Sequence, residues 1–183
     1  MYYFNNFPNI QYNNVTGKNI ILKAAIINEV LNKATAFYPY IIKEGYRPDR
    51  VAEEEYGNPV LEWVVYFSNN IVDPYYQWPM NYDNLKAYLE KKYNKTVYEL
   101  QNQTSHYEYT GLTNDSANDI ARKNWKMSTT TFSNLSSTDR SGWTAVSVYD
   151  YEDRLNEEKR SIQLLSPIYL NQVKKELSEI FLK

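Results

Sequence analysis

Few residues in this chain could carry chemistry. His106 is the single histidine and there is no cysteine, so disulfides and thiolate metal sites are excluded, and a zinc site would rest almost wholly on carboxylates. Ser105 precedes His106, but neighbours on a strand point to opposite faces, so the pair is read as no triad and His106 as a solvated side chain. Glu53, Glu54 and Glu55 follow one another, whereas glycoside hydrolysis needs two carboxylates facing across a cleft. They read as the solvated face of a helix. Asp73 before Pro74 is turn chemistry. With five glycines in all, no phosphate-cradling loop is legible. The basic residues are scattered, and KKYNK at 91–95 is too short to argue for nucleic acid. The expectation is a chain with no catalytic residue, no cofactor and no metal. What remains is aromatic. Tyr75, Tyr76 and Trp78 could stack on a sugar or anchor a protein interface. Core or protein interface is the preferred reading over a sugar site.

The bulk properties agree with a partner-binding chain. The 183 residues suffice for one domain or a small module with extensions. Hydrophobic content is 43%, charged content 23% and net charge −2, which favours a packed core and gives no electrostatic pull toward nucleic acid or an anionic membrane. The 19 tyrosines suit interfaces, because Tyr buries a large amphipathic ring at little rotamer cost. AT-rich coding bias would raise Tyr and Asn equally well. No apolar run approaches bilayer length, and MYYFNNFPNIQY lacks the basic start and apolar centre of a signal peptide. The Asn-x-Ser/Thr triplets at Asn14, Asn94, Asn102, Asn114 and Asn134 are read as products of composition.

The elements that would position the aromatic set follow in order. Residues 1–37 are read as an extended arm, whose Phe4 and Phe7 need a covering surface, then a helix over 19–35 with Ile20, Ala24, Ile27 and Leu31 on one face. Residues 38–80 are read as a β-α-α module: a short strand from Tyr38 to Ile42, with Pro39 marking an edge, then two short helices. Pro48 and Asp49 start the first helix and Gly57 ends it. Asn58-Pro59 starts the second, whose buried face is Leu61, Val64 and Val65 with Trp63 alongside, and Asn69-Asn70 stops it. Residues 81–147 are read as a helix over 81–93, one or two exposed strands in 96–110, a long polar loop over 111–140 broken by a helical turn at 120–125, and a strand over 143–148. Residues 148–183 are read as a helical tail. One helix carries Val148, Tyr151, Leu155, Ile162 and Leu165 on a heptad seam, and a last helix starts at Ser166-Pro167 with Leu170, Val173, Leu177 and Ile180. Two such seams in succession suit a helical hairpin or docking onto another chain's helices, so the tail is expected to be separable from the centre.

Several of these stretches together resemble a known family: EGYRPDRVA at 44–52, the YG-NP junction at 56–59, Trp63, NNIVDPYYQWPM at 69–80 and the KKY at 91–93. FNNFPNIQY at 4–12 and VYDYEDRLNEEKRSIQLL at 148–165 add to the likeness. The pattern looks like the baseplate wedge subunit of T-even type contractile-tailed bacteriophages, the wedge protein 53 family, with a LysM-like central segment. The resemblance implies an α+β structural protein of the virion, made in the host cytoplasm, that joins the wedge and links neighbouring wedges. It implies contacts with other baseplate proteins and no enzymatic activity, nucleic acid, membrane or cofactor. Partner-binding candidates are Phe4, Phe7, Tyr75, Tyr76, Trp78, Tyr151, Leu155, Arg160 and Ile162. The alternative is a LysM-type module that binds peptidoglycan or a related glycan. Tyr46 stands where such modules commonly carry Asp or Glu, which argues against that alternative.

Overall fold

The computed structural model describes residues 3–20, 36–111 and 124–179. A 3-10 turn, Tyr3–Asn6, leads into strands β1 (Asn9–Tyr12) and β2 (Val15–Lys18), then β3 (Phe37–Ile41), α1 (Pro48–Tyr56), a 3-10 turn (Pro59–Leu61), α2 (Glu62–Ser68) and α3 (Pro74–Gln77). Next come α4 (Tyr82–Tyr93), α5 (Val97–Asn102), β4 (Thr104–Tyr109), β5 (Lys126–Ser128), α6 (Thr129–Ser133), β6 (Trp143–Ser147) and α7 (Val148–Glu158). Strand β7 (Ser161–Leu165) and α8 (Pro167–Glu179) complete the α+β fold. The chain divides into two units, one of Met1–Pro79 with Lys159–Lys183, the other of Met80–Glu158.

The N-terminal residues are a hairpin, not the expected extended arm. Asn13 and Asn14 both take positive φ, 47° and 62°, as a two-residue type I′ turn requires, and Asn tolerates that conformation. Tyr12 pairs with Val15 and Ile10 with Gly17. The Lys18 ammonium donates to the Asn5 and Phe7 carbonyls at 3.1 and 2.8 Å and ties the hairpin to the preceding turn. Phe7 finds its cover within this chain and is 2% exposed. The Tyr3 ring stacks 5.7 Å from that of Trp63. The helix expected over 19–35 lies outside the described residues, apart from its first two.

The centre of the first unit forms for the reasons legible in its sequence. Pro48 sits at the first turn of α1, and Gly57 ends it at φ 68°, its N–H donating to the Glu53 carbonyl. The Asn58 side chain accepts from the Val60 N–H at 3.0 Å, and Asn70, at φ 52°, stops the chain after α2. Asp73 caps α3 by accepting from the Tyr75 N–H at 3.0 Å. Gln77 Oε1 takes the Val72 and Asp73 N–H groups at 2.7 and 2.8 Å. Val51, Ala52, Leu61, Trp63, Val64, Val65 and Trp78 share one buried cluster.

The C-terminal stretch departs most from expectation. The helix expected over 148–165 ends at Glu158, and Ser161–Leu165 is a strand antiparallel to β3. Ile162 and Leu164 are buried between exposed Ser161 and Gln163, a period of two that a heptad reading obscures. The β-α-α unit is therefore closed by a strand that arrives after residues 80–158. Ile162, Leu164 and Leu165, with Leu170, Val173 and Leu177 of α8, lie in the same core as Trp63. Residues 161–177 are thus part of that core and not a separable tail. Ile180 is not among the described residues.

The closing ladder has a fixed register. Ile42 N–H donates to the Arg160 carbonyl, and Ser166 N–H to that of Ala36. Alternation along the ladder then makes Pro39 and Gln163 a non-hydrogen-bonded pair. Pro39, which lacks an N–H, costs nothing there, and the Gln163 peptide groups point outward. The Asn69 carboxamide takes both, donating to the Gln163 carbonyl and accepting from its N–H at 2.8 Å each. Asn69 also donates to the Val65 carbonyl at 2.9 Å, so one side chain ends α2 and secures the last strand.

In the second unit, Leu85 and Leu89 of α4 pack with Leu100 of α5 and Val148. Residues 97–102 are helical where exposed strand was expected. The reason is a capping box, with the Thr96 side chain accepting from the Glu99 N–H and the Glu99 carboxylate from that of Thr96. The expected loop over 111–140 holds β5 and α6 in its described part. The sheet order is β5-β4-β6, all antiparallel. Gly142 has φ 81°, and a Cβ there would lie 2.7 Å from the Tyr109 ring, so only glycine fits. Among the described residues, no helix is long and apolar enough to cross a membrane.

Two substitutions test this packing. Trp63 is 5% exposed, and Trp63→Ala is expected to cost about 3–5 kcal/mol in urea unfolding through the cavity it leaves. An unchanged midpoint would contradict its burial. Asn69→Ala should cost about 1 kcal/mol, since water can reach the freed groups; no change would show that Asn69 does not hold the last strand.

Candidate protein-interaction surfaces

The partner-binding candidates divide by burial. Phe7, Trp78 and Ile162 lie in the core of the first unit. Trp78 Nε1 donates to the Tyr46 carbonyl at 2.9 Å, which fixes the ring against the α1 approach. These three side chains are occupied within their own chain. Arg160 is held beside Glu44 as an ion pair. Phe4 is exposed, as are Tyr75 at 84% and Tyr76 at 57%. The YYQW stretch therefore splits: Trp78 closes the core, while the two tyrosines stand on the one-turn helix α3 and face outward with Val72.

That patch is held firmly. Pro74 presets the first turn, Asp73 caps it, and Gln77 gathers the two N–H groups that precede it. A rigid, exposed aromatic pair beside an exposed valine has the composition of an interface anchor. The hairpin adds Ile10, Tyr12 and Val15, all exposed. Alternation could have found these three, since N-I-Q-Y and V-T-G-K around Asn-Asn carry the hairpin signature.

In the second unit the heptad seam read along α7 meets its buried face only at Val148. Val148, Glu152 and Asn156 are its buried residues, spaced four apart. Leu155 is exposed, and Tyr151 packs edge-on against His106 at 5.1 Å between ring centres. Glu152 accepts from Lys92 Nζ at 2.8 Å and from the Tyr93 hydroxyl at 2.6 Å. The Asn156 amide exchanges two 2.8 Å hydrogen bonds with the Met80 backbone. Tyr98 and Trp125 are exposed on this unit, and neither was singled out by sequence.

His106 is not solvated as expected. Its ring lies 3.1 Å from Ser105 Oγ through Nδ1 and 3.0 Å from Glu108 Oε1 through Nε2. The three side chains do meet, as a hydrogen-bonded cluster. Arg154 binds both Glu108 oxygens, at 2.8 and 3.1 Å, and Lys126 lies at 3.4 Å. The cluster joins β4, β5 and α7. The Arg154 hydrogen bonds, then that of His106, hold the Glu108 carboxyl at about 2, well below the usual carboxylate range. Among the described residues, no three His, Asp or Glu side chains are grouped to hold a metal.

This arrangement sets a sign for acid behaviour. A carboxyl whose folded pKa is depressed stabilises the fold fully above its unfolded value, roughly 4.3, and loses that contribution as pH falls toward the folded value. The second unit should therefore lose stability between about pH 4 and the Glu108 value of about 2. Glu108→Gln should lower stability at neutral pH and flatten that acid slope in urea midpoints measured from pH 7 to 2. Parallel slopes for the two proteins would contradict the assignment.

Comparison with known proteins agrees with the sequence reading. The family model described as Base plate wedge protein 53 matches residues 4–180. The chain is also 49% identical over 39 residues to the "Baseplate wedge protein gp53" of Enterobacteria phage T4, a match over 21% of this chain and 20% of that protein. The match thus spans about a fifth of the length of that curated relative. The chain belongs to the base plate wedge protein 53 family, structural proteins of the phage tail baseplate.

Proposed function

We propose that this chain joins a baseplate wedge and links neighbouring wedges through protein–protein contacts, with no catalytic role and no cofactor. It would be made in the host cytoplasm and act in the virion tail. The observation that carries the reading is the exposed Tyr75–Tyr76 pair with Val72, held on a capped single turn above a closed core. Side chains presented in this way lose little entropy on docking. The order of strand, two helices and a late closing strand fits a LysM-like module used as a scaffold, with residues 80–158 inserted before its last strand.

The test is assembly. Tails made without the chain should lack complete baseplates; normal tails would end this reading. In the double variant Tyr75→Ser, Tyr76→Ser, the chain should still unfold cooperatively, since both side chains are more than half exposed. Its incorporation into baseplates should fall about tenfold or more, the loss of one or two interface anchors. Unchanged incorporation would remove the pair from the interface. A LysM-type glycan role predicts retention on insoluble peptidoglycan that this double variant abolishes. Our reading predicts no such retention.

A further inference from the structure

The patch of Val72, Tyr75 and Tyr76 has an acidic rim. Asp73, exposed beside the tyrosines, accepts from the Tyr75 N–H through Oδ1 at 3.0 Å. Half-buried Tyr66 stands edge-on to the Trp78 ring, 6.4 Å between centres. Glu62 precedes Tyr66 by four residues on α2, so the two share a face. Burial, then the Glu62 and Asp49 carboxylates, push the Tyr66 hydroxyl up to about 12, with Tyr75 adding to the effect. Glu62, Asp49 and Tyr75 therefore lie around one hydroxyl. Arg47 lies there too, but it pairs with Asp49 at 3.3 Å. Among the described residues, Glu62 and Asp73 form no ion pair. The aromatic pair is thus rimmed by two carboxylates whose charge the chain leaves uncompensated.

Any partner that covers the tyrosines strips water from this rim. A carboxylate desolvated without a counter-charge is costly, so an uncharged apolar partner fits poorly and an acidic one is repelled. A second copy of this chain is disfavoured as well, because a two-fold contact would set the same carboxylates against each other. We propose that the patch takes an arginine- or lysine-bearing segment of another baseplate protein, its cations lying over the Tyr75 and Tyr76 rings and meeting Glu62 and Asp73. Tyrosine faces attract such cations, and the Arg50 guanidinium already lies 4.3 Å from the centre of the Tyr46 ring in this unit. The inference rests on the baseplate role proposed above.

The test is binding of the full chain to wedge subassemblies purified from an infection that lacks it. Wild-type binding should weaken as NaCl rises from about 0.05 to 0.5 M, because salt screens the contact. Glu62→Gln with Asp73→Asn removes both charges, and Asn still serves as a helix cap. This double variant should unfold cooperatively, bind roughly tenfold more weakly at the low-salt end and show a shallower salt dependence. If it fails to fold, Glu62→Gln alone decides by the same two readouts. Variant binding equal to wild type at every salt concentration overturns the inference and leaves the baseplate role standing. Wild-type binding that is indifferent to salt also overturns it. Failure of the wild-type chain to bind at any salt concentration strikes the baseplate role itself.

Discussion

An antiparallel ladder between residues 37–41 and 161–165 closes the first unit, and the packing of that unit depends on it. Among the described residues strand β3 pairs only with β7, and the buried cluster around Trp63 and Val64 draws on both α1–α2 and the returning segment. Once β7 docks, Ile162, Leu164 and Leu165 complete the buried cluster and bring α8 with them. Residues 80–158 intervene, yet the entropy of closing a loop grows only as the logarithm of its length, about 0.6 kcal/mol per doubling. A folded insertion is therefore tolerated. The peptide groups that the ladder leaves outward at Gln163 are taken by Asn69, so the helix pair and the returning strand are coupled by one side chain.

Much of the first unit was legible because its punctuation is local. Pro48, Gly57, Asn58-Pro59, Asn70 and Asp73-Pro74 each act within a few residues, and each stands where its backbone preference puts it. The late strand was not legible, because Ser161–Leu165 follows a charged helix without a proline or glycine between them. Its Ile and Leu positions fit a heptad as well as an alternation. Only the partner, far back at β3, decides between the two. The hairpin and the Thr96–Glu99 capping box were readable in principle, since Asn-Asn and Thr-x-x-Glu are short-range signals.

The tyrosine richness has no single meaning in the structure. Tyr56 is part of the interior, its hydroxyl donating to the Leu165 carbonyl at 3.0 Å, and burial raises its pKa. Tyr93 serves the Glu152 cluster, while Tyr12, Tyr75 and Tyr98 face out. Composition alone could not sort these roles; burial does. The same sorting explains why α7 misled a hydrophobic seam: its inner face is Glu152 and Asn156, satisfied by Lys92, Tyr93 and the Met80 backbone. Buried polar residues with complete partners specify an arrangement that an apolar pattern cannot reveal.

The central claim is that a strand near the C-terminus closes the central module within its own chain. Amide hydrogen exchange on the intact protein tests it most directly. The ladder register places the N–H groups of Tyr40 and Ile162 in mutual hydrogen bonds. The account predicts that both exchange slowly and lose protection together as denaturant rises. Rapid exchange at Ile162, with Tyr40 still protected, would contradict it.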